Sequence, residues 1–285
     1  MKNKIKIFFK TLYEIVNRPE MEVLPGHLAF YFMMMLIPLL TLLGSILTNF
    51  ELVSTSISQV IYGHLPSSIA DIVISVSRQD VSSLSLWIIL IPTLILASNG
   101  TYSMIITSNS VYKVRPKGNV ILAYIKDRTK AFIMLVVLIF IFLFLILVPT
   151  LGNVIFKIIG NIVTNENIVN NTYYILFKIL KYPVTFLFVF LSIKVLYVMA
   201  PDTKIKMKDT NIGAFFTSLT WVIVTLGYSY YIQYFSSYET FYGGLSSLLF
   251  LMLWIYLLSY MFVLGIALNA SKARGELQMI EENDK

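Results

Sequence analysis

Long apolar stretches alternate with shorter polar segments along the whole chain. Each stretch has about 20 residues or more, which is enough for a helix to cross a hydrocarbon core about 30 Å thick. The predicted membrane spans are residues 27–48, 84–112, 131–149, 172–199, 211–234 and 244–269. The pattern therefore predicts an all-α, polytopic membrane helix bundle, with six spans in one domain over residues 23–270 and a short polar tail over residues 271–285.

Residues 1–22 are predicted to form an amphipathic segment at the membrane surface. Lysines repeat every four residues on one helix face and apolar residues line another, namely Lys2, Lys6 and Lys10 against Ile5, Phe8, Leu12 and Ile15. Lys10 and Glu14 interrupt the continuous apolar core that a cleavable signal peptide requires. We expect a helix on the inner leaflet with its lysines at anionic headgroups; a loose basic tail is the alternative.

Two segments depart from the pattern of simple spans. Residues 50–83 are Ser-rich, and their apolar residues recur at intervals of three and four, which predicts two short amphipathic helices on the outer face, divided by Pro66. The second span is too long for one straight crossing and contains Ser98-Asn99-Gly100. It is either a tilted helix that extends into the cytoplasm or a helix that breaks at Asn99-Gly100.

Basic residues divide unevenly between the connectors. Seventeen Lys and Arg fall in the N-terminal segment, residues 113–130, residues 200–209 and the tail, whereas the intervening connectors hold only Arg78 and Lys157. Cytoplasmic loops of membrane proteins carry such an excess of basic residues. With six crossings, the distribution predicts that both termini lie on the cytoplasmic side of the membrane. The net charge of +7 then reflects topology, and nucleic acid is not expected as a partner.

Composition agrees with a membrane protein and narrows the chemistry. The chain is 57% hydrophobic and 13% charged, whereas soluble domains carry about 25% charged residues. It has no Cys, which excludes disulfides, thiolate metal sites and thiol nucleophiles. Its two imidazoles, His27 and His64, fall on opposite sides of the first span. We therefore expect neither a metal site nor a cofactor.

Polar residues inside the predicted spans are the candidate functional residues, because polar groups in hydrocarbon must find partners or line water. Asn99 and Asn109 lie close to one helix face. The candidate polar cavity or substrate path comprises His27, Asn99, Asn109, Tyr112, Lys178 and Lys181, and the candidate hinges or turns are Pro38, Gly100, Gly243 and Gly244. Two structural alternatives stay open: an interhelical hydrogen bond for Asn99, and extension of the two lysines to the outer interface.

Several motifs together resemble the YihY/BrkB family. They are His27-Leu28-Ala29-Phe30-Tyr31-Phe32, Leu36-Ile37-Pro38-Leu39, Ser98-Asn99-Gly100 with Asn109, Val111 and Tyr112, Pro201, Gly213-Ala214, Trp221, Tyr242-Gly243-Gly244, Leu253-Trp254-Ile255-Tyr256, Leu264-Gly265 and Leu268-Asn269-Ala270. One departure is Ala267, where the family usually has Glu. The resemblance implies a bacterial inner-membrane protein from a family that includes a virulence factor for serum resistance and has carried a ribonuclease label.

The residues do not favour a nuclease. Metal-dependent phosphodiester hydrolysis needs converging carboxylates, often with His, but Asp127, Asp202 and Asp209 stand among Lys and Arg without one. We expect a transporter or flippase-like carrier for a lipid, amphiphile or small solute. The alternatives are a scaffold or assembly factor that binds other envelope proteins and, more distantly, a membrane-embedded hydrolase. Membrane lipids are expected partners in every case.

Overall fold

The computed structural model describes residues 2–47, 83–114, 119–163, 169–235 and 244–273. Within these ranges the chain is helical and contains no strand, which confirms the all-α class. The described helices are α1 (Lys2–Val16), α2 (Pro19–Leu47), α3 (Ser83–Val111), α4 (Val120–Val163), α5 (Val169–Met199), α6 (Asn211–Phe235) and α7 (Gly244–Ala273). The two short helices predicted over residues 50–83 lie outside the described residues, apart from the first residue of α3.

Helices α3 and α4 bear on the two interruptions expected from the sequence, at Asn99-Gly100 and at Pro149. Helix α3 runs without a break through Asn99-Gly100, so the segment predicted as the second span is one continuous helix and not two half-helices. Helix α4 begins before the predicted third span and continues through Pro149 to Val163. A proline removes one backbone hydrogen bond but does not end a helix whose flanking turns are otherwise favourable. The predicted stop at Pro149 is therefore wrong.

Long apolar helices support the assignment to the membrane. Among the described residues, Pro19–Leu40, Asn211–Tyr231 and Leu248–Ala273 are each long and apolar enough to cross a bilayer, and Pro183–Met199 is a shorter apolar stretch. Large side chains such as Phe140, Ile223 and Leu226 point away from the bundle and are exposed. An exposed apolar surface of this extent is unfavourable in water but matches the hydrocarbon of a lipid bilayer.

Helices α6 and α7 approach each other closely where they cross. A β-carbon added at Gly213 would collide with the carbonyl oxygen of Gly265, and one at Gly265 would collide with the hydroxyls of Thr217 and Tyr197. The Tyr197 hydroxyl lies 2.7 Å from the Thr217 hydroxyl and donates to the Phe262 carbonyl at 2.8 Å. Glycine allows the two backbones to approach this closely, as is common between membrane helices. The hydrogen bonds of Tyr197 connect α5 to both α6 and α7 at this crossing.

Helix α1 packs against the bundle. Ile15 is fully buried, and the ring of Phe8 lies 6.3 Å from that of Phe216 on α6. Beyond the helix, Arg18 donates to the Ser271 hydroxyl at 3.3 Å. Phe9 and Tyr13 lie on the opposite, exposed face. The alternative of a loose N-terminal tail therefore does not hold for the described residues.

Candidate functional site

A cleft of about 900 Å³ opens between α3, α4 and the connector that follows α5. We call it the charged cleft. Its lining combines charged, polar and apolar side chains: Ile106, Asn109, Ser110, Tyr112, Lys113, Val114, Leu122, Ala123, Lys126, Asp127, Asp202 and Thr203. Two of the candidate path residues, Asn109 and Tyr112, are among them.

Asn109 fastens the connector after α5 to helix α3. Its side-chain oxygen accepts a hydrogen bond from the backbone N–H of Asp202 at 2.7 Å, and its side-chain nitrogen donates to Oδ2 of Asp202 at 2.9 Å. A side-chain amide that makes two bonds to one residue fixes both its position and its orientation. Asn109 thus places the Asp202 carboxylate in the wall of the charged cleft.

Lys130 neutralises that carboxylate. Its ammonium donates to Oδ1 of Asp202 at 2.8 Å and to the carbonyls of Ala200 and Pro201 at 2.8 and 2.9 Å. All three donors of the ammonium are therefore used. Lys126 also lies 3.4 Å from Oδ1 of Asp202, but its side chain is 67% exposed and water weakens the attraction. Lys126 consequently remains available to a ligand in the charged cleft.

Asp127 and Asp202 form a carboxyl pair with different proton affinities. Burial raises the pKa of Asp127, and the negative charge and hydrogen bond of Asp202 raise it further. Burial also opposes ionisation of Asp202, but hydrogen bonds from Lys130 and Asn109, with the charge of Lys130, outweigh it and lower the pKa of Asp202 to about 2. Asp202 therefore holds a fixed negative charge, and Asp127 is the carboxyl of the pair that takes up a proton.

A second polar cluster surrounds the guanidinium of Arg128, between α3 and α4. Nη2 donates to Oδ1 of Asn99 at 2.8 Å, Nη1 approaches the Ser98 hydroxyl at 3.4 Å, and Nε approaches the Tyr124 hydroxyl at 3.3 Å. The guanidinium carbon also lies 4.6 Å from the centre of the Tyr102 ring, in cation–π geometry. We call these five residues the arginine cluster. Asn99 thus makes an interhelical hydrogen bond, and it does not line the charged cleft.

The structure separates other candidate residues from the charged cleft. His27 pairs with the Ser103 hydroxyl at 3.0 Å and lies 4.9 Å from the Tyr31 ring, at the contact between α2 and α3. Gly100 lies inside an unbroken helix, and a β-carbon added there would collide with the Met35 side chain. This close packing favours a packing role for Gly100 over the hinge proposed from the sequence.

The remaining candidates are placed only by their backbone or not at all. Lys178 and Lys181 lie in α5, but their side chains are outside the described residues, and Gly243 is outside them as well. Gly244 is the first residue of α7, and Pro38 lies inside α2, which continues past it. Their proposed roles as path, turn or hinge residues remain predictions.

Sequence reasoning missed Lys130, Arg128 and Asp202 as site residues. Lys130 and Arg128 lie in a connector where topology alone predicts basic residues. Nothing in the sequence therefore distinguished them from the other cations there. The sequence did offer one signal: Asp127, Asp202 and Asp209 are the acidic residues of the two basic connectors, residues 113–130 and 200–209, and two of them meet in the charged cleft. Among the described residues, no three His, Cys, Asp or Glu side chains converge to hold a metal ion.

The comparisons with known proteins agree with the resemblance seen in the sequence. A protein-family model described as Virulence factor BrkB matches residues 12–284. The chain is 24% identical over 266 residues to a Bacillus subtilis protein named ribonuclease-like protein YfkH, covering 92% of this chain and 94% of that one. It is 23% identical over 281 residues to a UPF0761 membrane protein of Vibrio parahaemolyticus, covering 94% and 83% of the two chains. No solved structure matches it.

Proposed function

The chain belongs to the Virulence factor BrkB family of membrane proteins, and from this premise we propose that it carries a lipid, another amphiphile or a small solute across the bacterial cytoplasmic membrane. The proposal includes six spans with both termini in the cytoplasm. Its main support is the charged cleft, because a cleft of about 900 Å³ falls within the range of roughly 300–1,000 Å³ typical of ligand sites.

The packing of the basic connectors supports the proposed topology. Arg18 bonds Ser271, and Arg18 also lines a small cavity together with Lys113. Lys113 and Asp202 in turn line the charged cleft. These residues come from the N-terminal segment, the tail of α7 and the two basic connectors. Segments that the charge distribution assigns to the cytoplasm therefore meet at one end of the bundle, which we call the basic end.

The lining of the charged cleft favours an amphiphile among the candidate ligands. Lys126 offers a solvent-exposed ammonium, and the fixed Asp202 carboxylate stands beside it. Ile106 and Leu122 are exposed apolar residues in the same lining. A molecule with a charged head and an apolar chain satisfies both kinds of surface, whereas a purely polar solute leaves the apolar wall in contact with water.

Nuclease chemistry is not carried over from the name of the Bacillus subtilis relative. Divalent-metal catalysis of phosphodiester hydrolysis requires carboxylate oxygens that are free to bind metal. In the carboxyl pair, Oδ1 of Asp202 accepts from Lys130 and Oδ2 accepts from Asn109. Lys130 and Asn109 therefore compete with any metal for the most acidic carboxylate of the charged cleft, which disfavours metal-dependent hydrolysis there.

The experiment is a flux assay with the purified protein in phospholipid vesicles. A fluorescent phospholipid and an impermeant quencher report movement between leaflets, and a panel of entrapped solutes reports transport across the membrane. We expect faster movement of at least one amphiphile than in protein-free vesicles. If neither lipids nor solutes move faster, the carrier function is rejected and the scaffold alternative is favoured.

A further inference from the structure

Arg128 carries a positive charge that the described protein does not neutralise. Among the described residues, Lys126 and Lys130 form ion pairs with Asp202, and no ion pair involves Arg128. Its acceptors are the neutral side chains of Asn99, Ser98 and Tyr124. A partly buried charge held only by neutral dipoles and aromatic rings is costly and attracts an anion.

The orientation of this side chain is unusual for a cation near the end of a span. Asn99, which the guanidinium contacts, is the seventeenth residue of the 29-residue helix α3, 12 residues before its end at Val111. At 1.5 Å per residue, this places Asn99 about 18 Å from the end of the helix. Arginines at membrane boundaries normally extend outward to the headgroups. Arg128 instead extends toward the middle of α3, and an ionisable group that reaches into a predicted span is a functional candidate.

The arginine cluster leaves a defined set of donors for a ligand. A guanidinium has five N–H groups, and three of them point at Asn99, Ser98 and Tyr124. One N–H on each terminal nitrogen is left over. These N–H groups are charged donors, and phosphate and carboxylate oxygens are the acceptors that an arginine binds most strongly.

Exposed apolar residues continue outward from the arginine cluster on both helices. On α3, Ile91 and Ile95 precede Asn99 at four-residue intervals. On α4, Phe132, Val136 and Phe140 follow Arg128 at the same interval. These residues are all exposed, and Ala97 and Leu135, which lie beside them in the sequence, pack in one core cluster. The two stripes therefore run side by side along the bundle surface; we call them the apolar track.

We propose that the arginine cluster binds the phosphate group of an anionic phospholipid whose acyl chains lie along the apolar track. Charge complementarity assigns the phosphate to Arg128, and the apolar track assigns the source to a lipid and not to free phosphate. Asn99 positions the guanidinium, while Tyr102 and Tyr124 cover it with aromatic rings. A net anionic headgroup is preferred to a zwitterionic one, because Arg128 has no carboxylate partner among the described residues.

This inference deepens the proposed function, since it names anionic phospholipid as the ligand class, and it rests on that function for the placement of α3 across the bilayer. Lipid binding itself is measured without transport. Native mass spectrometry of the full chain, released from detergent micelles that contain equal amounts of phosphatidylglycerol and phosphatidylethanolamine, counts the lipids of each class that remain bound.

Three variants give the test its contrast. Arg128→Gln removes the charge. Asn99→Asp supplies an internal carboxylate to Arg128 and keeps the cluster paired, so it is the variant that folds even if Arg128→Gln does not. Lys208→Gln removes an exposed cation from the connector after α5 and serves as the control. We expect the ratio of bound phosphatidylglycerol to phosphatidylethanolamine to fall about fivefold in both cluster variants, which corresponds to about 1 kcal/mol for one charge, and to stay unchanged in the control.

Two results overturn the inference. One is an unchanged lipid ratio in Asn99→Asp or Arg128→Gln. The other is displacement of phosphatidylglycerol by millimolar inorganic phosphate, which would show a site for the free anion. Rejection of the lipid site at Arg128 can be distinguished from rejection of the carrier function. Vesicle flux with no lipid preference rejects the arginine site alone, and an Arg128-dependent lipid preference without flux rejects the carrier alone.

Discussion

The ammonium of Lys130 lies 2.8 Å from Oδ1 of Asp202 and joins the connector after α5 to helix α4. The two residues are 72 positions apart in the chain, and Asn109 on α3 holds the same aspartate from the other side. Three segments are therefore fastened at one carboxylate. The Asp202 carboxylate therefore holds together the helices and the connector that form the wall of the charged cleft.

Removing the carboxylate should destabilise the fold. Asp202→Ala leaves the Lys130 ammonium, whose side chain is 21% exposed, without its counter-charge. We expect the free energy of unfolding to fall by about 2 kcal/mol, the typical value of a hydrogen bond to a charged group. Thermal unfolding in detergent, followed by tryptophan fluorescence, measures the effect. Asp209→Ala, an exposed aspartate of the same connector, is the control and should unfold at the wild-type temperature. Equal midpoints for the two variants would refute the role of Asp202.

The same ion pair predicts a loss of stability in acid. The pKa of Asp202 is lowered from 3.8 to about 2 in the folded protein. Its contribution is therefore fully present above pH 3.8 and is lost as the pH falls from 3.8 to about 2. Unfolding midpoints measured across this range should converge for wild type and Asp202→Ala at the acidic end. A difference between them that does not shrink with acidification would contradict the assignment.

The contribution of Asp127 to stability should depend on pH in the opposite direction to that of Asp202. Its raised pKa means that the folded protein holds the proton more tightly, so stability is present below pH 3.8 and is lost as the pH rises through the folded-state pKa. Asp127→Asn removes the like-charge repulsion with Asp202 and should raise the unfolding midpoint at pH 7.5. As the pH is lowered the gain should shrink, because protonation of the wild-type carboxyl removes the same repulsion. A lower midpoint for Asp127→Asn at pH 7.5 would show that its charge stabilises the protein.

The crossing of α6 and α7 should tolerate no added side chain. Gly265→Ala places a methyl group against the hydroxyls of Thr217 and Tyr197 and should cost about 1–3 kcal/mol, as overpacked cores do. Gly227→Ala is the matched control, because a β-carbon at that position has no atom within 4 Å and alanine favours a helix. In size-exclusion profiles recorded after heating to successive temperatures, the peak of folded protein should disappear at a lower temperature for Gly265→Ala than for wild type or Gly227→Ala. Similar losses for both alanines would mean that the crossing is not tightly packed.

Topology is tested with single reporter cysteines, since the natural chain has none. Asn119 is exposed and lies just before α4. A cysteine at this position should react with an impermeant maleimide in inverted vesicles but not in intact cells. Ser67→Cys, in the predicted outer segment, should react in intact cells. Labelling of residue 119 from outside would reverse the proposed orientation and place the charged cleft on the outer face.

The helices could be predicted from the sequence because membrane spans are continuous apolar runs, a local property. Their ends were harder to predict. Pro149 does not stop α4, since one lost backbone bond does not outweigh the helix that continues on both sides of it. Asn109 was recognised as a site residue because an amide in an apolar span is conspicuous. Lys130 and Arg128 were not, because their partners lie 72 and 29 residues away and basic residues are expected in those connectors for topological reasons.

The most direct test of the carrier function is phospholipid movement in vesicles that contain wild type or variants of the charged cleft. Lys126→Ala removes the exposed ammonium of the lining, and Lys208→Ala removes an exposed cation outside it. We predict that wild type and Lys208→Ala accelerate the movement of a labelled phospholipid or other amphiphile, and that Lys126→Ala does so severalfold more slowly. Rates that match protein-free vesicles for all three proteins, with every amphiphile and solute tried, would contradict the proposed function.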